Sequence, residues 1–340
     1  MVPMTRMNRR ITLSQRPSGM PDDTTFGSDL VEVPALGDGE ALVEVSWLSI
    51  DPTIRGWMAY DTYLPAIEIG APIRSGGLGR VVESRNDRYP EGSTVFGMLG
   101  WQQYAVASRG LRVLPEGVPP EAALSVFGTT GLTAYFGLLD VGRPKEGDTV
   151  LVSGAAGATG SIVGQIARIK GCRVVGIAGS DDKCAWLTDE LGFDAAINYR
   201  TDGVRRAIRS ACPDGVDVFY DNVGGPILEA AIANLALRGR IVLCGAISQY
   251  NDAAPSPGPA NLGMLISRRG RMEGFIILDY MGRADEAITD LAAWVASGEI
   301  QYRTDVMEGL ESAPDALVRL FTGANTLSLI HISEPTRPTT

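Results

Sequence analysis

The sequence predicts an α/β protein: a doubly wound parallel sheet with helices on both faces, joined to a smaller and irregular β-barrel. Three observations lead there. From residue 149 onward, short apolar runs alternate with segments of helical period. The first of these units carries three glycines between its strand and its helix. Residues 6–106 instead hold short β-type runs broken by glycine and proline.

The opening unit organises the chain. Residues 149–153 form an apolar run of the kind a buried parallel strand needs. Ile162, Ile166 and Ile169 recur at helical spacing, Gly171 stands where a helix ends, and residues 173–178 form a second apolar run. Between strand and helix lie Gly154, Gly157 and Gly160, spaced G-x-x-G-x-x-G, with Ala156, Ala158 and Thr159 among them. A pyrophosphate reaches the N–H groups of a helix N-terminus only where no Cβ holds it off. The bare spacing is weak, and its strand-before, helix-after setting strengthens it. A tight turn without a nucleotide is the alternative.

The end of the second strand bears on the choice of cofactor. A residue reading a ribose 2′-hydroxyl would be an acid at this tip. The chain has Ala178, Gly179 and Ser180, with Lys183 just beyond. A small opening beside a cation suits a 2′-phosphate, so NADPH is expected over NADH. Asp181 and Asp182 argue mildly against this unless they serve the N-terminus of the next helix. A solvated helix lysine is the plainer use of Lys183.

Further strands are expected at 195–199, 216–223, 240–245 and 272–278, and helices at 202–212, 226–235, 285–296 and 314–321. Such alternation gives a mostly parallel sheet, and ligands then sit past the strand C-termini. Tyr199, Arg200, Asn222, Cys244 and Ser248 occupy such positions. Tyr250 opens a long loop rich in alanine and proline, from which it either reaches a bound ligand or packs to hold the loop. Earlier in the chain, strands are expected at 9–13, 40–50, 76–84 and within 92–106. Trp57, Trp101 and Tyr104 line a pocket or, more commonly for such residues, fill a core.

Composition narrows the classes. With 340 residues, 45% hydrophobic residues and 41 glycines, the chain is long enough for two domains with their own cores. A net charge of −10 disfavours nucleic acid or an anionic membrane as partner. Cys172, Cys184, Cys212 and Cys244 include no C-x-x-C, and the one histidine is His331, so no zinc site is expected. No apolar run is long enough to span a bilayer, and the basic start lacks a signal-peptide core, so the expected location is the cytoplasm.

The stretch VSGAAGATGSIVGQIARIKGCRVVGIAGSDDK resembles the zinc-free medium-chain dehydrogenase/reductases that reduce activated double bonds. These are the leukotriene B4 12-hydroxydehydrogenase/15-oxoprostaglandin 13-reductases, plant alkenal double-bond reductases and curcumin-type reductases. D-P-x-x-R-G-x-M at 51–58, F-G-T-T-G-L-T-A-Y at 127–135, Y-D-N-V-G-G at 220–225, Q-Y-N at 249–251 and G-F-I-I at 274–277 extend the likeness over residues 6–326.

The resemblance implies a GroES-like β-barrel catalytic domain at 1–125, completed by 300–340, and a Rossmann NADP-binding domain at 126–299. It implies 2′-phosphate contacts at Lys183 and Tyr199, a ribose-side contact at Asn222, and backbone contact with the nicotinamide at Phe275, Ile276 and Ile277. Asn325 matches a further family position. Tyr250 matches a proposed proton donor, and Arg55 lies in a corner that meets substrate in the family, unless it serves a structural ion pair. Thr129 and Thr130 have hydroxyls for the nicotinamide end or for a helix cap.

The expected reaction is NADPH-dependent reduction of the C=C bond of an α,β-unsaturated ketone or aldehyde by a homodimer. A quinone reductase and a non-catalytic NADPH-binding protein are the alternatives. The corner departs from the family at Thr53, Ile54 and Trp57, which leaves the substrate's size and polarity open. After Thr326 the sequence leaves the family pattern altogether. It is read as a non-native, frame-shifted or added ending, in which residues 327–332 still have the alternation of a closing strand.

Overall fold

The computed structural model describes residues 6–254 and 256–323 and the backbone of 328–332. Two compact units divide the chain, residues 125–303 forming one and residues 1–124 with 304–340 the other.

The split unit opens with β1 (Met7–Leu13) and β2 (Phe26–Glu32), paired antiparallel along their whole lengths. β2 is absent from the expected strands because Gly27, Ser28 and Asp29 are poor strand formers. It forms because β1 offers it a full ladder. Next come β3 (Ala41–Ile50), the short helix α1 (Ile54–Ala59), β4 (Gly76–Ser84), β5 (Thr94–Met98), β6 (Tyr104–Ala107), β7 (Arg112–Val113) and helix α2 (Pro120–Leu124). β3 is central: it pairs with β4 and β6, and its register against β4 shifts twice, near Val43 and Trp47. Such shifts mark bulges, which bend a strand and increase its twist.

The undivided unit begins with helix α3 (Thr129–Phe136) and a π-helical turn, Gly137–Gly142. β8 (Thr149–Ser153), α4 (Ala158–Ile169) and β9 (Arg173–Ala178) follow, the two strands where the apolar runs predict them. The alternation continues through α5 (Asp181–Asp189), β10 (Ala195–Asn198), α6 (Val204–Ala211), β11 (Val216–Asp221), α7 (Gly225–Ala233) and β12 (Leu235–Leu243). It closes with α8 (Gly263–Arg268), β13 (Arg271–Gly274) and α9 (Ala284–Ala296).

All neighbouring strands in this six-stranded sheet run parallel, in the order β10-β9-β8-β11-β12-β13. That is third-second-first-fourth-fifth-sixth within the unit, the doubly wound order that binds dinucleotides where it reverses, between β8 and β11. Ile208, Val216, Phe219, Ile232 and Ile241 are buried in one core of this sheet.

The last strand ends earlier than its sequence implies. Residues 275–278 leave the sheet after Gly274, because Phe275 turns edge-on to Tyr220 and Tyr280. Ile277 then opens a 3-10 helix, Ile277–Arg283.

The chain returns to the split unit with β14 (Thr304–Glu308), α10 (Ala313–Thr322) and β15 (Ser328–Ile332). β15 lies between β14 and β3, parallel to the first and antiparallel to the second. The segment that departs from the family pattern thus supplies a strand to a seven-stranded sheet. Ala313, Ala316 and Leu317 of α10 join β3 residues, Trp57 and Trp101 in one core. Trp101 stacks on Phe26, and Tyr104 donates to Glu44 (2.9 Å). Trp57 and Trp101 are thus core residues, and Tyr104 is held at Glu44.

Candidate functional site

The site begins at the turn after β8. Gly154 has φ of +57°, a conformation that side chains other than hydrogen rarely adopt. A Cβ on Gly160 would lie 2.4 Å from the Gly154 carbonyl oxygen and 2.8 Å from the Ala155 Cα, so only glycine lets α4 rest on this turn. Gly157 is the N-cap of α4 and makes no side-chain cap bond. Ser161 N–H is bonded back to Gly157 (3.0 Å), and the N–H groups of Ala158, Thr159 and Gly160 precede it at the helix start. Such leading N–H groups, with the positive end of the helix dipole, form an anion cradle. Ala156, within the turn, is buried.

The switch point itself is held by a buried network. Ser153 at the end of β8 donates to Asp221 at the end of β11 (2.7 Å). The same serine oxygen accepts from Asn222 N–H (2.8 Å), and Asn222 Nδ2 donates to the Ser153 carbonyl (2.7 Å). Asp221 also accepts from the N–H groups of Val223 and Gly224 (both 3.0 Å). Burial pushes the Asp221 carboxyl above the usual range, and these donors pull it back. The network sets the turn at Gly224, where φ is +75°. Asn222, expected as a ribose contact, spends its amide N–H on this network.

The tips of β9 and β10 hold a second group of residues. Ser180 caps α5 by accepting from Lys183 N–H (3.3 Å). The Tyr199 ring covers Gly179, where a Cβ would lie 3.0 Å from the ring. The Arg200 guanidinium lies 5.9 Å from the Tyr199 ring centroid. Burial, and then the charge of Arg200, hold the Lys183 ammonium below the usual lysine value. Two cations therefore converge beside one exposed aromatic ring. Asp181, which weighed against a 2′-phosphate, accepts instead from Asn198 Nδ2 (2.7 Å).

Past β12, Ser248 donates to the Val223 carbonyl (2.6 Å) and ties this loop to the one after β11. The Tyr250 phenol oxygen accepts from Ala246 N–H (3.2 Å). A Cβ on Gly245 would lie 3.1 Å from that oxygen and 3.4 Å from the Asn222 carbonyl. Tyr250 thus stands at the C-terminal edge of the sheet, next to the switch-point network.

Two family models match the chain: the N-terminal domain of oxidoreductase over residues 9–113, and zinc-binding dehydrogenase over residues 158–297. The NADPH-dependent curcumin reductase of Escherichia coli is 40% identical, covering 94% of this chain and 94% of that protein. Prostaglandin reductase 1 of the rat is 43% identical over 92% of this chain and 95% of its own. The crystal structure of CurA from Vibrio vulnificus in complex with NADPH superposes with a TM-score of 0.92 and 38% identity, covering 96% of this chain and 99% of that one. The chain is a zinc-free medium-chain dehydrogenase/reductase.

As a member of that family the protein is an oxidoreductase. Among the described residues, no group of three or more His, Cys, Asp or Glu is placed to hold a metal ion, and no helix is long and apolar enough to cross a membrane. The glycine cradle and the paired cations fit a phosphorylated dinucleotide.

Among the other expected residues, Arg55 and Cys244 already have partners within the chain. Arg55 is 3% exposed, and its guanidinium donates to the carbonyls of Gly19 (3.0 Å) and Pro17 (3.1 Å). It pins the 17–19 loop to α1 through carbonyls, where a substrate contact was expected and an ion pair was the alternative. The Cys244 thiol bonds with the Tyr220 hydroxyl, and burial pushes its pKa up to about 11. Thr129 and Thr130 lie in the first turn of α3, whose N-cap is Gly128. Ile276 is extended, with φ of −128° and ψ of 130°, at the exit from β13. Asn325 lies outside the described residues.

Two contributors have no specific role in the sequence. Arg200 is expected only at a ligand-side position past its strand, and it joins Lys183 because β10 pairs with β9. Its signal was the position just past a strand. Asp221 is quoted within Y-D-N-V-G-G, yet nothing in that motif tells a buried anchor from an exposed acid.

Proposed function

We propose that the protein reduces the C=C bond of an α,β-unsaturated ketone or aldehyde at the expense of NADPH. The observation that carries the reading is the position of the Tyr250 hydroxyl, on the same sheet edge as the glycine cradle and beside the switch point. NADPH, when bound, supplies a hydride to the β-carbon of the substrate.

The chain's own residues bind, orient and protonate. Ala158, Thr159 and Gly160 offer N–H groups to the pyrophosphate. Lys183, Arg200 and Tyr199 hold the 2′-phosphate, and Gly179 leaves room for it. Phe275, Ile276 and Ile277 present backbone toward the nicotinamide. Ser248 keeps the Tyr250 loop in register, and the bond from Ala246 N–H orients the phenol oxygen. Hydride addition leaves negative charge on the substrate's carbonyl oxygen. Tyr250 donates its hydroxyl hydrogen bond there and stabilises the transition state more than the ground state. A proton delivered to the α-carbon completes the reduction.

The test follows NADPH absorbance with an alkenal, a linear enone, a diarylheptanoid and a quinone, with NADH in parallel. Enone-dependent oxidation that prefers NADPH supports the reading, whereas turnover of the quinone alone refutes it. Tyr250→Phe should lower kcat by roughly 100-fold with little change in NADPH affinity. A fully active Tyr250→Phe removes Tyr250 from this role.

A further inference from the structure

The ring of Phe275, at the exit from β13, rests on a glycine that the backbone does not ask for. Gly137 opens the π-helical turn after α3. Its φ of −60° and ψ of −40° are ordinary right-handed helix, where alanine is the better residue. Its neighbours forbid alanine. A Cβ there would lie 2.4 Å from Phe275 Cζ, the tip of the ring, and 2.6 Å from the Tyr220 hydroxyl oxygen.

Neither of these groups is free to give way. Tyr220 is fully buried on β11, and its hydroxyl donates to the Thr133 carbonyl (2.9 Å), which Gly137 N–H also bonds. The Cys244 thiol meets the same hydroxyl from just past β12. Burial holds this phenol well above the usual tyrosine value, so it stays a donor. Tyr220 and Tyr280 meet the Phe275 ring edge-on, with centroids at 6.5 and 6.2 Å. Tyr280 is itself stacked on Phe136 at 4.9 Å. A ring held on three sides fixes the backbone that carries it. Just beyond, Ile276 is extended and Ile277 opens the 3-10 helix. The first N–H of such a helix has no partner inside it and is left for a ligand or water.

We propose that the Phe275 ring, seated on Gly137 between Tyr220 and Tyr280, positions the backbone of residues 276–277 for the nicotinamide of NADPH. Gly137, Tyr220 and the ring are positioning residues, since they act through that backbone. The inference rests on the cofactor placement proposed above and is independent of which substrate is reduced.

The experiment compares two ligands on the full chain by calorimetry: NADPH, and adenosine 2′,5′-bisphosphate, which keeps the 2′-phosphate end and lacks the nicotinamide. Gly137→Ala should weaken NADPH by roughly tenfold, through a ring pushed off its seat, and leave the bisphosphate within about twofold. Phe275→Leu should shift the same ratio by about threefold, and it stands in for Gly137→Ala should that variant not fold. The double variant should lose less than the product of the two single losses, because the added methyl enters the space the ring tip vacates. In both single variants the fluorescence anisotropy of bound NADPH should fall, as a loosely held nicotinamide reorients.

Ile277→Pro tests the cofactor placement by itself. Ile276, with ψ of 130°, already has the extended backbone that a following proline needs, and proline suits the first position of a helix. The variant removes one N–H and should weaken NADPH against the bisphosphate by roughly tenfold. If Ile277→Pro shifts the ratio while Gly137→Ala and Phe275→Leu leave it unchanged, the placement stands and the positioning role is overturned. Equal weakening of both ligands in those two variants overturns it as well, because it shows a general structural effect. If Ile277→Pro leaves the ratio unchanged, the placement fails and the positioning role falls with it.

Discussion

The turn after β8 and the tips of β9 and β10 are the two places proposed to hold phosphate, and they are made of opposite materials. At the turn, side chains are withheld: Gly154, Gly157 and Gly160 clear the way to backbone N–H groups that carry only partial charge. At the tips, side chains are supplied: Lys183 and Arg200 bring full charges beside the Tyr199 ring. The backbone cradle serves any dinucleotide, since every one has a pyrophosphate. On the proposed reading, the paired cations tell one carrying a 2′-phosphate from one without. That reading puts affinity and specificity in different places, and each is open to separate attack.

The largest effect should come from filling the cradle. A Cβ on Gly160 meets backbone atoms that cannot yield without moving α4 off β8. Gly160→Val should therefore destabilise the unit by about 3 kcal/mol or more and abolish binding of NADPH and NADH alike. Gly157→Ala is the sharper probe. Its Cβ would meet only the Gly154 oxygen, at 3.1 Å, and its φ of −84° suits alanine. The melting temperature should stay within a few degrees of the parent's, whereas NADPH and NADH should weaken in equal proportion, by roughly tenfold. Unequal losses would mean that the turn also takes part in specificity.

Attack on the cations should separate the two cofactors. Lys183→Ala and Arg200→Ala should each weaken NADPH by roughly 10- to 100-fold, the worth of one charged hydrogen bond, and leave NADH within about twofold. Dissociation constants from fluorescence titration measure both. If Arg200→Ala leaves NADPH unaffected, Arg200 is a surface residue and the pairing carries no function.

The same contrast explains what could be read in advance. The cradle is written locally: a β run, three glycines and a helical period lie within one short stretch, so its elements and chemistry are legible together. Lys183 and Arg200 lie on different βα connections and meet because β10 pairs with β9, Asn198 opposite Ala178. No local pattern records that pairing. Arg55 shows the same limit from the other side. Its place in a family motif pointed to a ligand, but two carbonyls of a distant loop hold its guanidinium. β2 was hidden because its residues fit a strand poorly and its partner supplies the order. Strand identity follows from periodicity, whereas the use of a charged side chain follows from what the fold sets beside it.

The smallest expected effect tests whether the two cations are coupled at all. With no phosphate present, burial and the charge of Arg200 both favour the neutral amine of Lys183, which lowers its pKa. A bound 2′-phosphate favours the ammonium and raises that pKa, so binding is strongest where Lys183 is already protonated. NADPH affinity should then fall as pH rises through the pKa of the unliganded Lys183, by up to about tenfold per unit, while NADH affinity stays level. Measurements belong above about pH 7, where the phosphate itself has lost its second proton. Removing the neighbouring charge should relax the lysine. In Arg200→Ala the alkaline decline should move to higher pH, although affinity at neutral pH is lower. A decline that stays in place, or moves to lower pH, would show that Arg200 does not act on Lys183.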